Sequence, residues 1–182
     1  MSGLLKKNFL EATTSLTQGV TQQVFISDTN IWIDFRNAGL LDALFDLPFQ
    51  LCSTDFVLSE LQDFDPQALL AKGLVVHGLD ESATARLFGL MTAHNNSSLA
   101  DVSCYLLAQG TGHPLLTGDG RLRKQATQDG LQVFGTLWLL DQLVANKVTT
   151  ADAAAEGLKD MLERGARLPH AECQARLRDW QA

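Results

Sequence analysis

Short apolar runs alternate along this chain with longer stretches in which apolar residues recur at helical spacing. Val24-Phe-Ile-Ser27 is too short for a helix and is followed at once by polar residues, which predicts a buried strand. Residues 29–38 and 40–46 carry apolar positions at helical spacing, with Gly39 as the break between them. Pro48 precedes a second short strand, Phe49-Gln-Leu-Cys-Ser53, after which Ser53 or Thr54 can cap a helix through Leu58, Glu60 and Leu61. Leu74-Val-Val-His77 predicts a third strand, and residues 81–94 an amphipathic helix with Ala83, Leu87, Leu90 and Met91 facing inward. Ser98 opens a helix from Leu99 to about Gln109, stopped by Gly110-Thr-Gly112 and Pro114. Leu115-Leu-Thr117 and Leu131-Gln-Val-Phe134 predict the fourth and fifth strands, with a helix over 120–128 between them. Strands alternating with helices in this way predict an α/β fold, a three-layer α/β/α arrangement around a five-stranded parallel sheet.

The two ends read differently. Residues 1–21 are polar and rich in Thr and Gln, as in an arm preceding the core, and residues 22–146 hold the predicted domain. Beyond Asn146-Lys-Val-Thr149, residues 147–182 read as a C-terminal helical extension, with patterns over 150–164 and 170–180. Leu158, Met161, Leu162, Leu168, Leu177 and Trp180 form its apolar stripe, which is expected to pack back on the domain.

Four acids fall where such a sheet brings residues together. Asp28 directly follows the first strand, Asp119 lies just past the fourth, Asp101 sits at the start of the helix leading into the fourth, and Glu60 lies in the helix after the second. In open α/β sheets the functional crevice lies beyond the carboxyl ends of the strands, where strand order reverses. If strands one and four are neighbours, Asp28, Asp101 and Asp119 share that crevice, and the helix carrying Glu60 can lean over the same edge. Converging carboxylates repel one another unless a cation neutralises them, and Mg²⁺ or Mn²⁺ takes carboxylate oxygens while leaving positions for water and a substrate phosphate. That set predicts metal-assisted phosphodiester chemistry with no side-chain nucleophile. Asn30, Thr117 and Ser98 are short polar residues beside the acids, suited to orienting a carboxylate or a water. Arg121, Arg123 and Lys124 follow Asp119 at a helix N-terminal region and are candidates for substrate phosphate contact.

Each assignment has a plainer competitor. Ser98-Leu-Ala-Asp101 fits a capping box with Asp in the place of Glu, Asp119 suits a helix cap, and Asn30 suits an Asx-type turn. Glu60 competes with Asp55, Asp63 and Asp65, and the three basic residues can be surface charges. Asp28 has the weakest structural excuse, because Asp is a poor strand residue.

Composition narrows the setting. With 182 residues and 46% hydrophobic content the chain suits one well-packed domain with extensions. A net charge of −7 argues against tight, nonspecific duplex binding, although the four acids supply part of it. No apolar run approaches the ~20 residues of a membrane span; a cytoplasmic protein that makes no use of a membrane is expected. Cys52, Cys104 and Cys173 form no CxxC pair and read as reduced thiols, and His77, His94, His113 and His170 show no zinc-ligand spacing.

Together, Asp28-Thr-Asn30, Glu60, Ser98-Leu-Ala-Asp-Val-Ser-Cys-Tyr-Leu-Leu-Ala108 and Thr117-Gly-Asp119 resemble, in order, the four acidic motifs of the PIN-domain nucleases over roughly residues 22–146. The resemblance implies a Mg²⁺- or Mn²⁺-dependent endoribonuclease acting on an RNA substrate, of the type common among toxins of prokaryotic toxin–antitoxin pairs. An antitoxin or other inhibitory protein and a homodimer are then the expected partners. The polar arm and the helices past 148 depart from the compact toxin pattern. A catalytically silent PIN-like binding or assembly module is the competing reading. A haloacid-dehalogenase-like phosphatase wants a second Asp where Asn30 stands, and dinucleotide binding wants a glycine-rich loop after the first strand.

Overall fold

The computed structural model describes residues 22–93 and 97–182, so the expected arm at 1–21 and His94 lie outside the described residues. In chain order the elements are β1 (Val24–Ser27), α1 (Thr29–Asn37), β2 (Gln50–Thr54), α2 (Asp55–Glu60), α3 (Pro66–Ala71), β3 (Val75–His77) and α4 (Glu81–Ala93). They continue as α5 (Leu99–Thr111), β4 (Leu115–Leu116), α6 (Gly120–Gln128), β5 (Val133–Phe134), α7 (Thr136–Ala145), α8 (Ala151–Glu163) and α9 (His170–Trp180).

The five strands form one sheet of order β3-β2-β1-β4-β5, and every neighbouring pair is parallel. Parallel neighbours need crossover helices, and these cover the sheet. β1 and β4 are adjacent, with Ile26 opposite Leu115 and Ser27 opposite Leu116. Strand order runs outward from β1 to β3 on one side and from β4 to β5 on the other, so the reversal falls between β1 and β4. The carboxyl ends of these two strands carry Asp28 and Thr117-Gly-Asp119.

Helix α5 is the most enclosed, with Ala100, Val102, Cys104, Leu106 and Ala108 buried against the sheet. Phe25, Phe49, Phe134 and Trp138 form an aromatic cluster that ties β1 and β5 to α7, with Phe134 and Trp138 stacked at 4.3 Å between centroids. The C-terminal helices belong to the same core, for Leu158, Met161 and Cys173 are buried within it. Gly157 marks the close approach of α8 to the end of α1, since a Cβ there would lie 2.7 Å from Leu40 Cδ1 and 3.3 Å from Ala38 Cβ. Cys52 and Cys104 are buried free thiols, as is Cys173.

Two segments differ from expectation. Residues 40–46 contain a 3-10 helix, Asp42–Asp46, in which only Leu44 is buried. Helix α3 was not expected because its six residues bury only Leu69 and so carry almost no periodicity. Its signal was local instead: Asp65 caps it by accepting from the Gln67 N–H, and Pro66 takes the first turn, where no N–H is needed.

Candidate functional site

β1 passes into α1 through Asp28 with no intervening loop. The residue is extended, with φ −77° and ψ 175°, and caps α1 by accepting from the Ile31 N–H through Oδ1 at 3.1 Å. Its other oxygen, Oδ2, accepts from Thr117 Oγ1 at 2.6 Å and from the Gly118 N–H at 3.3 Å, so β4 reaches across to hold it. Asp28 is fully buried. Burial pushes its carboxyl up to about 7, in spite of the hydrogen bonds from Thr117, Ile31 and Gly118 and with a further push from the charge of Asp101.

Thr117 is the pivot between two acids. Its hydroxyl donates to Asp28 and accepts from the Asp119 N–H at 3.0 Å. Asp119 caps α6, with Oδ1 accepting from the Arg121 and Leu122 N–H groups, each at 2.8 Å. Asp101 occupies the third position of α5 in a complete capping box, its N–H donating to Ser98 Oγ at 3.1 Å and its Oδ2 accepting from the Ser98 N–H at 3.4 Å. Burial raises the Asp101 carboxyl, the two Ser98 bonds oppose this, and the charges of Asp119 and Glu60 add to the rise. Glu60 is the exposed last residue of α2, and its Oε2 accepts from Thr29 Oγ1 at 2.6 Å, beside Asp28 in the chain.

The capping readings of Asp101 and Asp119 hold, and Asp28, for which the sequence offered the weakest structural role, is a helix cap as well. Asp28, Asp101 and Asp119 all cap or brace helix starts, and Asp101 is electrostatically linked to each of the other three acids. Thr29 was missed in the sequence; its only signal was a hydroxyl one residue after Asp28. Asn30 is exposed at the same rim. Beneath the acids lies a layer of buried polar groups. Thr54 Oγ1 shares a 2.6 Å hydrogen bond with Ser103 Oγ, Trp32 Nε1 donates to Ser53 Oγ, and Ser53 Oγ donates to the Ser27 carbonyl. No buried side-chain nitrogen or oxygen in the described residues lacks a partner, so this layer fixes the ends of β1 and β2 against α5. The Cys104 thiol donates to the Ser27 carbonyl, and burial with the nearby Asp28 and Asp101 charges keeps it protonated. It is not a nucleophile.

Among the described residues, no three His, Cys, Asp or Glu side chains stand close enough to form a ready-made metal cage. The donor set nonetheless suits a hard divalent cation. All four groups are carboxylates, the charge of Asp101 raises the Asp28 carboxyl and those of Asp119 and Glu60 raise the Asp101 carboxyl, and Mg²⁺ is typically held by one or two carboxylates plus water and phosphate rather than by an all-protein cage.

A cleft of about 950 Å³ opens from this rim, bounded there by Asn30, Thr117, Gly118 and Asp119. Arg123 lines it, but its guanidinium donates to the Thr117 carbonyl at 3.1 Å and the Val133 carbonyl at 3.5 Å, bracing β4 against β5. Arg121 and Lys124 are exposed and stand outside the cleft lining. Asp34, read from the sequence as solvated, is partly buried and accepts from Thr136 Oγ1 at 2.9 Å, joining α1 to α7.

A five-stranded parallel sheet flanked by helices, with acids beyond the carboxyl ends of β1 and β4, defines a three-layer α/β/α domain. The chain belongs to the PIN-domain family: the DUF3368 model, described as a PIN domain, matches residues 24–182. Among solved structures it is similar to a PilT N-terminus domain protein from the hyperthermophilic archaeon Sulfolobus solfataricus P2, at 12% identity over 65% of this chain and 92% of that one, with a TM-score of 0.45. No curated protein matches it.

Proposed function

We propose that this PIN-domain protein is a metal-dependent endoribonuclease, with Asp28, Glu60, Asp101 and Asp119 as the residues that hold Mg²⁺ or Mn²⁺. The observation that supports this reading is the charge linkage of Asp101 to Asp28, Asp119 and Glu60, four acids from separate elements near the β1/β4 reversal, with Thr117 bonded to Asp28 and Thr29 to Glu60. A bound divalent ion supplies positive charge for the developing phosphoryl oxygens and acidifies a water. The protein supplies the rest. Thr117 and the Gly118 N–H fix Asp28, Ser98 fixes Asp101, and the α6 N–H groups fix Asp119, so that the carboxylates are already held in place when substrate arrives.

Asp28→Asn should lower Mn²⁺-dependent cleavage of an internally labelled single-stranded RNA by roughly a thousandfold or more. Equal rates for variant and wild type would defeat the assignment. As a toxin of a toxin–antitoxin pair, the chain expressed alone should arrest growth, and the same substitution should lift the arrest.

One observation favours the second reading, a silent binding module: the acids do not stand as a closed cage. Calorimetric titration with Mn²⁺ separates the two. The nuclease reading expects a site that Asp28→Asn or Asp101→Asn removes, whereas a scaffold shows none.

A further inference from the structure

The cleft is lined by Asp119 of the four acids, by residues 133–138 of β5 and α7 and by the turn joining α8 to α9, so the C-terminal helices contribute to its wall. That turn presents Arg164 and Arg167, both exposed and both lining the cleft. Neither is paired with a carboxylate among the described residues. Arg176, also at the cleft, is already committed, since its Nε and Nη2 bind the two oxygens of Asp141 at 2.9 and 2.6 Å. The turn itself is firmly held. Gly165 adopts φ 91°, its N–H donates to the Leu162 carbonyl at 3.1 Å, and the Ala166 N–H donates to the Met161 carbonyl at 2.9 Å. Half-buried Phe134 and Trp138 also line the cleft, stacked on one another and packed against Phe25.

The lining carries Asp34, Asp119 and Glu172 beside Arg123, Arg164, Arg167 and Arg176, and of these arginines Arg123 and Arg176 are committed to carbonyls and to Asp141, which leaves Arg164 and Arg167 as the guanidinium groups available to a ligand. Cationic groups and aromatic side chains along one groove are the features that accommodate a single-stranded nucleic acid, and Asp119 stands at the rim of this one. We infer that the α8–α9 turn is a substrate-binding wall: Arg164 and Arg167 hold backbone phosphates of single-stranded RNA on one side of the bond presented to the acids. This inference rests on the ribonuclease reading above, and it gives the C-terminal helices a role in substrate capture.

The test uses the full chain silenced by Asp28→Asn, without divalent cation, and a fluorescein-labelled single-stranded RNA followed by anisotropy across a salt series. Adding Arg164→Ala and Arg167→Ala should weaken binding by roughly 50-fold at about 50 mM salt and reduce the slope of log K against log salt by about 1.4, the value for two lost phosphate contacts on a single strand. The Arg→Lys pair should keep most of the affinity, and Lys159→Ala, at a residue paired with Glu156 outside the cleft, should change nothing. Unchanged affinity and slope in the alanine pair would overturn the inference, as would an equal loss in Lys159→Ala or an absence of RNA binding by the silenced chain. An unaffected alanine pair combined with Asp28-dependent cleavage removes this inference alone. Cleavage undiminished by Asp28→Asn removes the ribonuclease reading instead. If an acidic peptide, and not RNA, loses affinity in the alanine pair, the wall serves a protein partner and the inference falls.

Discussion

Asp28 ends a strand, starts a helix and lies buried among other acids, and those placements make its ionisation expensive. An unfolded carboxyl ionises near 3.8, whereas burial holds this one to about 7. Between those values the folded chain keeps a proton that the unfolded chain has released. Metal-free stability is therefore full below about pH 4 and falls as pH rises toward 7, by up to about 4 kcal/mol for a shift of about three units. Asn cannot ionise and keeps one acceptor oxygen, while its amide nitrogen meets either the Ile31 or the Gly118 N–H, so Asp28→Asn carries a fixed cost but should lose less stability than the wild type between pH 4 and pH 8 in the presence of a chelator. Urea melts across that pH range measure this, and an equal loss in the two proteins would show that the carboxylate is compensated by something other than a cation. Added Mn²⁺ should raise the wild-type midpoint and leave that of Asp28→Asn where it was.

At the level of elements, Asp28, Asp101 and Asp119 stand where they do because helix starts need acceptors, whereas Glu60 ends α2. Asp101 is both the third residue of a capping box and the centre of the charge coupling, so Ser98 supports stability and function through the same two hydrogen bonds. Ser98→Ala removes the acceptor of the Asp101 N–H and should cost about 1 kcal/mol in stability; by loosening the first turn that carries Asp101, whose carboxylate keeps the N–H of residue 98, it should also cost roughly 10- to 100-fold in Mn²⁺ affinity or cleavage. A loss of stability with unchanged cation affinity would confine Ser98 to capping. This double use explains how far the site could be seen in the sequence. Short apolar runs located all five strands, and the position of Asp28 after β1 and of Asp119 after β4 pointed to the reversal between them. Helix α3 was hidden because a helix with one buried residue has no apolar face to read. Thr29, Ser53 and Ser103 were hidden for a different reason: their importance lies in partners 31, 26 and 49 residues away, which no local pattern encodes.

For the molecule as a whole, the question is whether the domain ends near residue 146 or requires everything after it. Ala154, Ala155, Leu158, Met161 and Cys173 are fully buried, α8 lies against α1, and Arg176 fastens α9 to Asp141 of α7. Fully burying a large apolar side chain contributes roughly 1.5–3 kcal/mol, and a typical domain has only about 5–15 kcal/mol in total. Losing Leu158 and Met161 together with the surfaces they cover on α1 and α7 therefore removes a large share of the available stability. A chain ending at Thr149 should fail to show a cooperative thermal transition and should expose apolar surface to a hydrophobic dye. A gentler probe is Gly157→Val, which forces a branched side chain into the contact with Ala38 and Leu40 and should cost about 1–3 kcal/mol while leaving Mn²⁺ binding intact. A truncated chain that melts cooperatively and cleaves RNA at the wild-type rate would make the last two helices dispensable to both the core and the cleft. If instead the Gly157 variant unfolds more easily yet binds the cation normally, α8 and α9 act on the acids only through the stability of the whole.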